Sequence, residues 1–362
     1  MEKKEDAQVK RAFFGACFLL LVLLPLCVLG EEKQITVTFL GDCTIGGEDW
    51  LREREESFDG YLRAHGADYF FEKVQPVIAH DDLTVANLEG VISDIESGRI
   101  EGKTYKFRAP SSYLSVLTGS SVECVNVANN HSLDYRDIGM RRTARALDDA
   151  GIFWFGANIV YQKTWIYQKD GVKIGFIGME ANYLHQQKKV ITRLLTKLQK
   201  AGCQVIVASL HGGSEYYELH DKGQESKAHW LINNGCDLVI CHHPHVPQGI
   251  EVYKHATICY SLGNFVFGGN AQIKRQRARY SAMFQFTFSF DEKNRYLGHQ
   301  LNLIPVFVSS SAEINTYQPY PVTGEDAETV MKTIQADTKF KLNPYVENVG
   351  AVQDFVPAAQ MK

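Results

Sequence analysis

The chain has 362 residues, 45% of them hydrophobic and 22% charged, which is enough apolar material for one large domain with its own core and too much for a disordered chain. Its 38 basic and 42 acidic side chains leave a formal net charge of −4, so no basic excess points to nucleic acid and no acidic block marks a charged tail.

Chain order begins with a short charged start (Glu2, Lys3, Lys4, Lys10, Arg11), followed by an uncharged apolar run from Ala12 to Gly30. At about 1.5 Å per residue this run just spans a hydrocarbon core of about 30 Å, and it exceeds the roughly 7–15 residues of a secretory h-region. Positive charge before the run and Glu31-Glu32-Lys33 after it place the amino end in the cytoplasm. The length favours an uncleaved single-pass anchor, while Pro25 and the Val28-Leu29-Gly30 ending leave a cleaved signal peptide open. Either outcome puts the main domain outside the cytoplasm, on the cell membrane or exported from it. Of the eight cysteines, Cys17 and Cys27 fall in this segment. The others (Cys43, Cys124, Cys203, Cys236, Cys241, Cys259) form no CxxC and several sit in apolar runs, so they read as small core hydrophobes and not as a disulfide framework.

Strand-like and helix-like segments then alternate. Strands are predicted over Ile35–Asp42, Leu83–Gly90 and Val122–His131, and an amphipathic helix over Ile138–Ala150, closed by Gly151. A further strand, IFWFGAN, precedes a hairpin around Lys169-Asp170-Gly171; helices over Val190–Ala201 and Ser226–Asn234 flank the strand QVIVASLHGG; CDLVICHHPH and ATICYSLGNFVF close the series. Buried strands alternating with helices indicate a layered α/β domain, central sheets flanked by helices. Beyond Gly269 the pattern changes to aromatic–polar alternation, which predicts an antiparallel hairpin with one face in solvent, and Glu325–Ala336 suits a closing helix. The expected division is therefore a cytoplasmic start and membrane segment over 1–30, a domain over 31–310 and a C-terminal extension over 311–362 that packs on the domain or trails it. The basic run Lys274-Arg275-Gln276-Arg277-Ala278-Arg279 reads first as a solvated hairpin face and second as a contact for a polyanion or lipid head groups.

The polar residues fall in a particular place. Strand after strand ends in metal-ligand residue types: Asp42; Asn87 and Glu89; Asn130 and His131; His211; His243 and His245. Ligands bind at strand ends in α/β sheets. Carboxylate, amide oxygen and imidazole together suit one or two divalent ions, with manganese, zinc or iron the best matches. Two such ions can clamp a phosphoryl group. Each element alone has a plainer reading, a turn at Gly41-Asp42 or a helix cap at Asn130. The cluster His242-His243-Pro244-His245 is the most specific, because in an extended chain 243 and 245 share a face and leave 242 on the other.

In this order and spacing, GDCTIGG, ANLEG, NVANNHSLDYRDIGM, ASLHGGSEYY, HHPHVPQ and YSLGNFVF resemble the signature blocks of the CapA-like capsule and poly-γ-glutamate synthesis family, related to the calcineurin-like metallophosphoesterases. The resemblance covers roughly Ile35 to Gly268 and implies a layered metallophosphoesterase-like fold. It implies metal ligation by Asp42, Glu89 (bridging), Asn130, His211, His243 and His245, with His131 acting on the substrate and Asp134 orienting it. It also implies an anionic cell-surface polymer or its precursor as substrate, and the membrane subunits of a capsule synthase as partners. The chain departs from the phosphoesterase pattern at Asp42-Cys43-Thr44, where Asp-x-His is expected, and at Glu89, where an aspartate is expected. Cys43 faces away from Asp42 on an extended chain. Three functions remain open: a metal-dependent hydrolase or transferase of a surface-polymer bond, a non-catalytic assembly or export factor, and a general extracytoplasmic phosphoesterase.

Overall fold

A computed structural model describes residues 32–158, 160–275 and 277–359. The expected anchor over 12–30 lies outside the described residues, and among those described no helix is long and apolar enough to cross a membrane. The principal strands are β1 (Lys33–Cys43), β2 (Leu83–Leu88), β3 (Cys124–Asn126), β4 (Phe153–Ala157), β5 (Trp165–Lys169), β6 (Val172–Glu180), β7 (Val205–His211), β8 (Leu238–His242), β9 (Ile250–Tyr253), β10 (Ala256–Cys259), β11 (Tyr280–Phe290) and β12 (Tyr296–Phe307). The principal helices are α1 (Phe58–His65), α2 (Arg136–Asp149), α3 (Leu184–Lys200), α4 (Lys222–Asn233) and α5 (Gly324–Ala336).

Hydrogen bonding follows the order β9-β10-β8-β7-β6-β4-β3-β2-β1-β11-β12, with β5 paired to β6. The link between β4 and β6 is the single pair Ala157–Met179, and the sheet doubles over there. One apolar core is shared by the two halves: Val37, Phe39, Val85 and Phe284 from one side meet Phe176, Val207 and Ile240 from the other. A second core lies between the outer face of the first half and α2, with Val125, Val127 and Trp154 against Met140 and Leu147. A third packs Ile177, Ala208 and Val239 under α3 and α4. Strands apolar on both faces thus produce four layers, helix–sheet–sheet–helix, as the alternation of elements predicts.

Local rules account for many boundaries. The β5–β6 connection is the two-residue turn Asp170-Gly171 with φ of 50° and 79°, the left-handed pair that suits the strand twist. Gly151, at φ 73°, follows the end of α2. Helix α3 begins six residues ahead of the expected Val190; its first turns bury only Leu184, so no apolar period marks them in the sequence. The predicted strand over Val122–His131 shrinks to Cys124–Asn126; beyond it Asn126 Oδ1 accepts from Ala128 N and Asn129 Oδ1 from His131 N, so side chains replace the ladder.

The chain after residue 310 packs on the domain, with Tyr320–Pro321, Ala351–Val352 and Val356–Pro357 all pairing with β12 and α5 seating Val330 and Ile334 in the shared core. Two expectations are corrected. The β11–β12 hairpin forms in register, but its outer face is not uniformly wet: Gln285, Thr287, Gln300, Asn302 and Ile304 are partly open, whereas Ser281, Met283 and Ser289 are buried. The basic run is not a solvated hairpin face. Lys274 pairs with Glu313 at 3.0 Å, Arg275 lies over the Tyr216 ring, Arg277 pairs with Glu218, and Arg279 donates to Ser309 O and lies over Phe307; Gln276 lies outside the described residues. The six cysteines between Cys43 and Cys259 are free, as expected.

His299 ties the two sheets together. Its Nε2 is 2.7 Å from Thr257 Oγ1 on β10 and its Nδ1 is 2.5 Å from Tyr296 Oη, deep in the shared core. Burial, helped by the nearby His255, pushes its pKa down to about 4. The unfolded chain takes up this proton near pH 6.5, so the contribution is complete above that pH and is lost as pH falls toward 4, by about 3 kcal/mol for the whole shift. The urea midpoint should fall across that window, and a His299→Gln variant should show a flatter profile; equal slopes would count against this role.

Candidate metal centre

The site lies at the carboxyl ends of β1, β2 and β7 and in the loops after β3 and β8. A bulge in β1 sets its geometry: Phe39 pairs with Val85, but Asp42 pairs with Asn87, so β1 spends one residue more than β2. That extra residue turns Asp42 onto the face of Asn87, which is in turn in register with Asn126. Gly41 is required by a close approach, since a Cβ there would meet Gly263 O at 2.1 Å. The Ser261–Asn264 segment clamps the bulge, with Asp42 N donating to Gly263 O and Phe265 N to Asp42 O.

An amide ladder holds the first carboxylate. Asn126 Nδ2 donates to Asn87 Oδ1, and Asn87 Nδ2 donates to Asp42 Oδ1, both at 2.8 Å. His245 Nδ1 lies 2.9 Å from Asn264 Oδ1 and 3.2 Å from Asp42 Oδ2. Burial opposes the charge on Asp42, yet the imidazoles of His242 and His245 hold its pKa well below the usual carboxylate range. Conversely, burial disfavours a charged His245, but Asp42 and Glu89 push its pKa up to about 9. Burial and the neighbouring His245 push His243 down to about 4. His211, buried and beside His243, is held well below the usual histidine range.

Glu89 differs from the rest. It is fully buried, and neither Oε1 nor Oε2 has a hydrogen-bond partner among the described residues. The nearest imidazole nitrogens, His131 Nε2 and His211 Nε2, are each 3.8 Å from Oε1, too far for a hydrogen bond. Burial and the charge of Asp42 raise its pKa well above the ordinary value. Bare carboxylate oxygens in a buried site are costly unless a cation meets them. One ligand atom from each of Asp42, Glu89 and His211 falls within 4.8 Å of the others, and the same holds for Glu89, His243 and His245. Glu89 belongs to both groups, the position a bridging carboxylate takes. The residues present therefore fit a pair of divalent ions.

Of the expected ligands, Asp42, Glu89, His211, His243 and His245 converge, and Asn130 joins them through Oδ1, which accepts from His211 Nε2 at 2.8 Å. His131 and Asp134 form the expected dyad, Nδ1 to Oδ2 at 2.6 Å, with Phe107 N also donating to Oδ2. Cys43 is buried in the second core, away from Asp42. His242 is a correction. It pairs in register with His211, so both point the same way, and its Nδ1 lies 3.4 Å from Asp42 Oδ1. Alternation fails because His243 has φ of 100°, which turns the next imidazole back toward the site.

Sequence reasoning missed Lys103 and Phe107. Lys103 Nζ lies 2.6 Å from Asp134 Oδ1 and 2.8 Å from Asn130 O, and the Phe107 ring stacks on His131 at 4.1 Å. Both come from the polar stretch between Ser93 and Phe107, which carries no periodic signal. Asn126 and Asn129 were equally silent, although Asn126 lies four residues ahead of Asn130 on the same strand exit.

Removing the charge of Glu89 tests the centre. With divalent ions chelated, Glu89→Gln should be more stable than the wild type by about 1–3 kcal/mol, because an unbonded buried carboxylate has gone. The same variant should lose the stabilisation that divalent ions give the wild type. Thermal unfolding with and without chelator reads both effects, and a variant that still responds to ions would remove Glu89 from the ligand set.

Among solved structures, the NAD nucleotidase of Haemophilus influenzae shows a distant likeness, 12% identical with a TM-score of 0.44, covering 86% of this chain and 64% of that one. Capsule biosynthesis protein CapA of Bacillus anthracis is 28% identical over 263 residues, and PGA biosynthesis protein CapA of Bacillus subtilis (strain 168) is 25% identical over 329. These alignments take in 66% and 86% of this chain, which spans 61% and 80% of the two relatives' lengths. The family model described as bacterial capsule synthesis protein PGA_cap matches residues 36–269, well over half of the 362-residue chain, and the chain belongs to that family.

Proposed function

We propose that the chain works in the assembly of an anionic capsule polymer of the poly-γ-glutamate type, at the outer side of the membrane that its N-terminal segment engages, by hydrolysing or transferring a phosphoester-like or amide-like bond of the polymer or its precursor. The observation that carries this reading is the pair of bare Glu89 oxygens shared by two ligand groups. Capsule synthase membrane subunits are the partners that the family relationship suggests.

Divalent ions held by Asp42, Glu89, Asn130, His211, His243 and His245 would supply Lewis acidity at the scissile group. The chain's own residues do the rest. Asp134 accepts from His131 Nδ1, which leaves Nε2, on the Glu89 side, as the atom that gives or takes a proton. Lys103 neutralises the other oxygen of Asp134 and fixes the loop carbonyl of Asn130. Phe107 covers the His131 ring and keeps water from that side. A non-catalytic polymer-assembly role draws support from the departure at Thr44, whose hydroxyl is turned back to Gly46 O instead of offering an imidazole to the centre.

Metal content and turnover should be measured together on the wild type and on His243→Ala. Turnover of a phosphodiester or a γ-glutamyl peptide that falls roughly 100-fold or more as the metal is lost supports the catalytic reading. Wild-type protein that holds stoichiometric metal and turns over neither substrate would establish the non-catalytic one.

A further inference from the structure

A cavity of about 360 Å³ opens beside the metal centre. Phe107, stacked on His131, forms part of its wall, as does Thr44, two residues beyond Asp42. Gly268, next to the Phe267 ring that stacks on His245, forms another part. No ligand of the centre lines this space, which borders it through the Phe107 ring and the residues next to Asp42 and Phe267.

Its chemistry is specific. Trp50, Phe58, Tyr105, Phe107 and Tyr317 supply aromatic wall, and Trp50 and Tyr105 remain 60% and 44% exposed. Three carboxylates line the cavity against one guanidinium, that of Arg54. Asp59 accepts from Tyr113 Oη at 2.5 Å and Glu56 from Asn270 Nδ2 at 2.9 Å. Glu48 is only 9% exposed, caps no helix with its side chain, and has no hydrogen bond or ion pair at its carboxylate among the described residues. Arg54 lies 4.9 Å over the Trp50 ring, so that ring already receives a cation on one face. Aromatic rings and an unpaired carboxylate lining one cavity suit an organic ammonium ion, since the rings supply cation–π attraction and the carboxylate the counter-charge.

We propose that this cavity binds an organic ammonium group. Resting on the reading of the adjoining centre as a reaction site, the substrate then carries its reacting anion at the metal ligands and a positive amine beyond it. A primary amine of a peptide chain and a head-group amine share this chemistry.

The cavity is tested apart from the centre with full-length, metal-stripped protein, by calorimetric titration of choline, ethanolamine and 3,3-dimethylbutan-1-ol, the uncharged isostere of choline. Choline or ethanolamine should bind about tenfold more tightly than the alcohol, and the tighter of the two identifies a quaternary or a primary amine. Glu48→Gln, which keeps size, should bring the preference close to unity, and the exposed Trp50→Ala should weaken the cation without changing metal content. Equal binding of choline and its isostere by the wild type, or a preference unaltered in Glu48→Gln, overturns the proposal. Phosphorylcholine and 3,3-dimethylbutyl phosphate on metal-loaded protein separate the two readings. A retained preference with tighter binding than choline alone supports a substrate spanning both sites. Choline binding that gains nothing from the phosphate leaves the cavity standing and removes the reaction-site reading.

Discussion

Two carboxylates buried against each other govern this structure. Asp42 and Glu89 share a site closed to solvent on most sides, and like charges in such a place repel unless something positive lies between or beside them. The protein answers this differently for each. Asp42 is wrapped in donors, with the Asn87 amide, the His243 backbone N–H and the His245 ring all directed at its oxygens. Glu89 receives none. Five imidazoles, those of His131, His211, His242, His243 and His245, gather around this imbalance, and the burial that depresses His211 and His243 keeps those two neutral and available as lone-pair donors.

Holding such a group together takes backbone geometry that a regular strand cannot supply. The β1 bulge rotates Asp42 out of the apolar alternation, and the Gly263 carbonyl sits where any side chain at Gly41 would be. On the far side, His243, His245 and Tyr216 all have positive φ, at 100°, 60° and 62°. Left-handed backbone at non-glycine residues costs free energy and persists only where the surroundings over-determine it. Here those surroundings include the Asn264 contact to His245 and the β8 ladder that ends at His242.

Legibility in the sequence followed periodicity. The long strands, the helices α2, α4 and α5 and the tight β5–β6 turn could be read because burial imposes a period and the turn chemistry is local. The ligands could be read because they fall where strands stop. What stayed hidden depends on registration between segments far apart. Nothing near Lys103 says that its amine reaches Asp134, and nothing at His242 says that pairing with His211 fixes its direction. The basic run misled for a related reason, because its partners Glu218, Tyr216 and Glu313 come from distant loops. The membrane segment rests on composition alone.

The doubling of the sheet at Ala157–Met179 has one more consequence. Asp42, Glu89 and Asn130 belong to one half of the sandwich, and His211, His243 and His245 to the other. Neither half carries a complete ligand set, so ions bound across them would act as a clasp between two sheets whose shared ladder, among the described residues, is the single pair Ala157–Met179. Affinity for the ion and adhesion between the halves become a single linked quantity. Loosening the apolar seam anywhere along its length would then be felt as weaker ion binding at its end.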